Sequence, residues 1–177
     1  MGCAIKKTVY SYKDIKIPEA LKLTSEQRDS VMMEVIKTLM VSGIPNMNIY
    51  MACGIAGNIK AESEFNYTLL GDDGTSYGLC QWHFNRLENL YNYCKQIGEG
   101  FDTPRGQIKF LVYELNSTEK KTLNEIIKPG VYNDIDKVAE KFCLEFERPS
   151  EKDVKCPKRA KLAREVYEKF NKFKSQS

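Results

Sequence analysis

The sequence is short of the side chains on which several common chemistries depend. It has one histidine, one tryptophan and no Cys-x-x-Cys pair, and neither His-Glu-x-x-His nor a phosphate-binding glycine loop occurs. A structural zinc site wants closely spaced Cys and His ligands, and only His83 could join Cys3, Cys53, Cys80, Cys94, Cys143 and Cys156. The pattern therefore predicts no metal, no P-loop NTPase and no zinc protease. A Cys-His peptidase on Cys80 and His83 would need a third group to orient the base, and a serine hydrolase would need His83 plus a nucleophile elbow. Both are set aside.

Long apolar runs are also missing. None approaches the roughly 20 residues of a membrane span, and the opening MGCAIKKTVY lacks the apolar centre of a secretory signal. Met-Gly-Cys resembles an acylation start but departs from that pattern at Lys6. The expectation is no membrane partner and no signal peptide. Charge is balanced as well: 27 basic against 24 acidic residues give +3, scattered along helical stretches as solvated faces, so no nucleic-acid partner is expected.

What is present is enough apolar sequence for one core in 177 residues. Residues 1–23 show no sustained period and read as an arm; residues 24–177 read as a single domain. Thr24-x-x-Gln27 is a capping box, and Val31, Val35, Ile36 and Leu39 follow at helical spacing until Gly43 and Pro45. A second helix begins near Asn46 or Asn48 and carries Ile49, Ala52, Ile55, Ala56 and Ile59. Further stripes run over 83–97, from Thr103-Pro104 to Leu115, around 123–128, from Ile135 to Phe146, and from about Pro157 to Phe170. Cys53 and Cys143 fall within such stripes and are expected to be inert buried thiols. Residues 66–80 alone invite strands. The fold class expected is α+β, predominantly helical, with one small β-hairpin.

That hairpin follows the second helix directly, in AESEFNYTLLGDDGTSYGLCQW. At about 100° per residue, Glu62 falls at the rim of the apolar face made by Ile55, Ile59 and Ala56, whereas Glu64 falls on another side. Glu62 also lies in the last turn, where the helix dipole and partial burial both favour a neutral acid. A glycosidase acid needs that property. Asp72 and Asp73, in a Gly-Asp-Asp-Gly turn, are the aspartates a folded-back hairpin could bring opposite Glu62, although a turn wants Asp and Gly for backbone reasons alone. Thr75, Ser76, Asn58 and Gln81 offer hydrogen bonds, and Tyr77 and Trp82 offer flat apolar surfaces, as a sugar cleft requires.

Taken together, Glu62-Ser63-x-Phe65-Asn66, then Gly71-Asp72-x-Gly74-x-Ser76-Tyr77-Gly78-Leu79-x-Gln81-Trp82-His83, Arg86, and Phe146-Glu147-x-Pro149 resemble the phage tail lysozyme family. That family is a branch of the lysozyme and soluble lytic transglycosylase superfamily. The resemblance extends in outline from about Ile44 to the end. It implies a lysozyme-like domain that cuts the β-1,4 bond between N-acetylmuramic acid and N-acetylglucosamine, with Glu62 as catalytic acid and no cofactor. Asp72 occupies the family's aspartate position and Asp73 a variable one, so Asp72 is the candidate partner. Ser63, Thr75, Ser76, Tyr77 and Gln81 are the expected substrate-binding residues. The expected partners are peptidoglycan strands and other phage tail proteins, at the virion tail or outside the bacterial wall. Two alternatives remain open: a lytic transglycosylase giving a 1,6-anhydro product, and a non-catalytic wall-binding or structural tail module.

Overall fold

In the computed structural model, residues 8–176 are described; Cys3 and the Met-Gly-Cys start lie outside them. Among the described residues, seven α-helices and three two-residue strands make a predominantly helical, lysozyme-like α+β fold. Thr24 caps α1 (Ser25–Met40) through the predicted box. Asn48 caps α2 (Ile49–Ser63), its Oδ1 accepting from the amides of Tyr50 and Met51. Helix α3 (Asn85–Ile97) ends on Gly98 in the left-handed region, and α4 (Pro104–Asn116) starts from the Thr103 cap with proline at its first position. Then come α5 (Lys120–Ile126), α6 (Ile135–Phe142) and α7 (Lys152–Ser175).

Helix α2 is the hub, packed against α1, α6 and α7. Met51, Ile55 and Ile59 are fully buried, each stabilising the fold by roughly 1.5–3 kcal/mol. Two glycines let its neighbours come close. A Cβ on Gly54 would sit 2.6 Å from Val138 Cγ1, and one on Gly57 would sit 2.6 Å from the Ala163 backbone nitrogen. Small residues thus set the α2–α6 and α2–α7 distances.

The sheet is antiparallel in the order β1 (Leu70–Gly71), β2 (Ser76–Tyr77), β3 (Trp82–His83). Leu70 faces Tyr77, and Tyr77 faces Trp82. The hairpin predicted within 66–80 therefore has a third strand just beyond it. Residues 8–23 lie along this region: Tyr10 and Asn92 exchange two hydrogen bonds, Tyr12 N–H donates to Glu88, and Tyr12 O–H donates to the Gly74 carbonyl.

Two expectations need correction. Helix α7 starts at Lys152 and carries Pro157 inside it, because a proline so near the N-terminus gives up only one backbone bond close to an end that already lacks partners. Cys143 is no inert thiol. The additional helical turns bring Cys156 to it, and the two form a disulfide with Cα atoms 5.5 Å apart. Cys53 is a buried free thiol, and burial pushes it up to about 12.

Candidate active site

Glu62 stands in the last turn of α2, which closes through Glu64 in the left-handed conformation. Its carboxylate is half-buried and accepts a 2.6 Å hydrogen bond at Oε1 from Arg159, a buried residue of α7. The helix-end position therefore holds, and the neighbour there is a cation delivered by another helix. Oε2 has no hydrogen-bond partner among the described residues. Glu64 is exposed and turned elsewhere, as its helical phase requires.

Around Glu62 lies a cluster drawn from separate elements. Arg86 of α3 makes a two-pronged ion pair with the buried Glu114 of α4, at 2.9 Å on each prong, and its guanidinium lies 4.4 Å from the centre of the Phe146 ring. Trp82 Nε1–H donates to the same Glu114 at 2.7 Å. Glu147 ends a π-helical turn (Cys143–Glu147) that follows α6, and the turn closes on Arg148 in the left-handed region. Its Oε1 is sealed from solvent with no hydrogen-bond partner among the described residues. Burial, followed by the charge of Glu62, pushes the Glu147 carboxyl up to about 8.

The hairpin meets α2 beside Glu62. Ser63 Oγ lies 2.9 Å from the Leu79 carbonyl and 3.2 Å from that of Ile59. Farther along, Ser76 Oγ lies 2.9 Å from both Asp72 Oδ2 and Gln81 Oε1, its single proton serving one at a time. Gln81 Nε2 donates to the carbonyls of Leu69 and Gly78. Thr75 Oγ1 is 2.7 Å from the Asp72 carbonyl and 3.2 Å from His83 Nδ1. Asp72 is exposed, has a positive φ of 49°, and sits 3.8 Å from His83. It shares no hydrogen bond or ion pair with Glu62.

Three of the expected substrate contacts are internal side chains here. Ser63, Ser76 and Tyr77 are buried. Their side chains build the hairpin and its junction with α2, because a two-residue strand with so little ladder of its own needs side-chain bonds to hold its register. Tyr77 packs on Phe101 with ring centres 5.6 Å apart, its hydroxyl unpartnered among the described residues. Thr75 and Gln81 retain partial exposure. Asn58 and Trp82 are also wholly internal, Asn58 donating to the carbonyls of Gly54 and Ala139.

A serine hydrolase was set aside for want of a nucleophile elbow, yet Ser76 stands in Gly74-Thr75-Ser76-Tyr77-Gly78, a spacing that matches that pattern. The structural context differs: Ser76 is a buried strand residue bonded to Asp72 and Gln81, not an exposed turn between strand and helix. Nor is Cys80 placed as a nucleophile, since burial holds its thiol well above the usual range. Among the described residues no three His, Cys, Asp or Glu side chains converge as a metal site would need. No helix among them is long and apolar enough to cross a membrane.

Sequence reasoning missed Arg159, Glu114 and Gln107, which fasten the site from α7 and α4. Gln107 accepts from the Leu79 amide and donates to the carbonyls of Tyr67 and Phe101. The signal was available: Gln107, Ile108, Leu111, Glu114 and Leu115 share one helical face, and polar residues on an apolar stripe mark buried networks.

The profile of one family, described as phage tail lysozyme, matches residues 30–170. A search of curated proteins gives no match.

Proposed function

This chain belongs to the phage tail lysozyme family, a peptidoglycan-degrading lysozyme type, and we propose that it cuts the glycan strand at the β-1,4 bond between N-acetylmuramic acid and N-acetylglucosamine. Glu62 gives its proton to the leaving glycosidic oxygen. The observation that carries this reading is the state of its two oxygens: Oε1 is held by the buried Arg159, and Oε2, at the helix end, is unengaged among the described residues. A general acid must be fixed in direction and still within reach of the oxygen it protonates. Arg159 supplies the fixing, and it stabilises the carboxylate left after transfer.

For the second half of the reaction, Asp72 is the candidate that orients water or stabilises the oxocarbenium-like transition state. One observation favours the alternative, in which the sugar's own N-acetyl and 6-hydroxyl groups complete the cleavage. Asp72 Oδ2 is already engaged with Ser76 inside the hairpin and faces His83. Thr75 and Gln81, the partly exposed members of the expected set, are the proposed hairpin contacts to the sugar. The family supports action at a phage tail, with other tail proteins as partners and the bacterial wall as the place of work.

The test is digestion of purified peptidoglycan with the protein and with Glu62→Gln. The variant should fold with an unchanged circular dichroism spectrum and lose about 10²- to 10⁴-fold in rate. Mass spectra of the products separate a reducing end from a 1,6-anhydro end. A Glu62→Gln variant cutting at the parent rate would refute Glu62 as the acid, whereas a parent protein that binds peptidoglycan without cutting it would make the wall-binding module the better account.

A further inference from the structure

Strand alternation would put Phe84 on the same side of the hairpin as Trp82, with His83 on the other. Trp82 is fully buried, yet Phe84 is 50% exposed, because its backbone leaves the strand at φ 40° and ψ −110°. A bulky residue with positive φ is an outlier, and such strain persists mainly at ligand clamps and other functional positions. Its effect here is to set the phenyl ring beside the imidazole of His83, with ring centres 4.0 Å apart and planes 74° apart. The outer end of the hairpin thus carries an exposed corner with two aromatic walls.

That corner is braced from behind and polar at its rim. Phe84 N–H donates to the Thr75 carbonyl at 3.2 Å, the Tyr12 ring packs 6.1 Å from the Phe84 ring, and Tyr12 O–H holds the Gly74 carbonyl of the same turn. Thr75 Oγ1 lies 3.2 Å from His83 Nδ1, and Asp72 Oδ2 lies 3.8 Å from it. His83 Nε2 and Asp72 Oδ1 have no hydrogen bond among the described residues, and both side chains face solvent. A pyranose ring has matching chemistry: an apolar C–H face for an aromatic wall, and hydroxyl and acetamido groups for the rim.

Resting on the glycosidic reading of Glu62, we propose that Phe84 and His83 form a further glycan subsite, which stacks an N-acetylglucosamine unit of the strand being cut. Leu79, whose carbonyl meets Ser63 beside Glu62, is four residues from Thr75, at most about 13 Å of extended chain. A glycan strand lying along the hairpin reaches both ends. The rim selects the unit. Asp72 and Asp73 are exposed, and the nearby Arg86 is committed to Glu114, so no free cation faces the lactyl-peptide branch of N-acetylmuramic acid. The neutral, unbranched sugar is the one that fits.

The chain's one histidine makes the test direct, because the two carbon-bound ring protons of His83 report on the corner alone in a proton NMR spectrum. Titrating the protein with the tetramer of N-acetylglucosamine should shift both signals saturably. Phe84→Leu keeps an apolar side chain and removes the ring, so Kd for the tetramer should rise about 2- to 10-fold, while Phe84→Trp should hold the parent value. KM on peptidoglycan should follow the same order. His83 signals that do not move with the tetramer overturn the proposal without any variant, and so does a Phe84→Leu affinity equal to the parent's. Unmoved His83 signals in a protein that cuts peptidoglycan at full rate leave the glycosidic reading standing without this subsite. Saturable shifts in a protein that cuts nothing overturn the glycosidic reading and keep the sugar-binding corner.

Discussion

At the scale of single residues, the buried carboxylate of Glu114 takes hydrogen bonds from Trp82 and from both prongs of Arg86. It joins α4 to β3 and α3 from inside the core. Trp82→Phe removes one donor while leaving most of the ring, so the remaining cost is that of an incompletely satisfied buried charge, about 1–3 kcal/mol. The expected result is a lower urea midpoint with an unchanged m-value, which equilibrium unfolding measures. The position of Glu62 was legible because helical phase is a strong signal, and Glu64 was rejected on the same ground. Arg159 was not singled out, since it lies among Lys158, Lys161 and Arg164 in a stretch that reads as a solvated face. Its register with Cys156, Ala160 and Ala163 places it inward all the same. The pairing of Glu62 with Arg159 required knowing which cation another helix would deliver, and no local pattern contains that.

At the scale of elements, the site depends on how closely three helices approach. Alanine is normally better than glycine inside a helix by roughly 0.8–1 kcal/mol. At Gly57 the sign should reverse, because the new Cβ would lie 2.6 Å from the backbone of Ala163, which has no side-chain freedom with which to yield. Gly57→Ala should therefore destabilise by about 1–3 kcal/mol, the usual cost of overpacking, and thermal unfolding should show the lower midpoint. Activity should fall as well, because the displacement of α7 carries Arg159 away from Glu62. The helices and their caps were legible from spacing, Thr24, Asn48 and Thr103 included. The early start of α7 and the Cys143–Cys156 bridge were not, the first because a proline reads as a helix start and the second because only tertiary packing places the two cysteines side by side. The hairpin was legible as a location. The internal bonding of its side chains was not legible, because the hydroxyl and amide groups suited to bind sugar are also those suited to clip a short sheet together.

For the whole molecule, two stability terms can be separated by experiment. The disulfide closes a loop with a sequence separation of 13, so on a chain-entropy account it contributes about 3 kcal/mol. Reduction should lower the thermal midpoint by roughly 6–12 °C, at about 2–4 °C per kcal/mol for a domain of this size; an unchanged midpoint under full reduction would contradict that account. The second term is pH. Glu147 has a carboxyl raised from 4.5 to about 8 in the folded state, so the native protein holds this proton more tightly than the unfolded chain. Its contribution is fully present below about pH 4.5 and is lost as pH rises through 8, where folding must bury a charge that the unfolded chain exposes to water. The opposite sign applies to Glu99, lowered chiefly by its hydrogen bond with Lys109, and to Asp134, lowered chiefly by the Lys137 amide at the cap of α6. Their contributions are present above the ordinary carboxylate range and lost as pH falls through it. The two trends together place the stability maximum on the acid side of neutral. Urea midpoints should fall steadily from pH 5 to pH 8, and Glu147→Gln should flatten that slope while leaving the acid limb unchanged. A slope that survives the substitution would assign the pH dependence to other groups and remove Glu147 as its source.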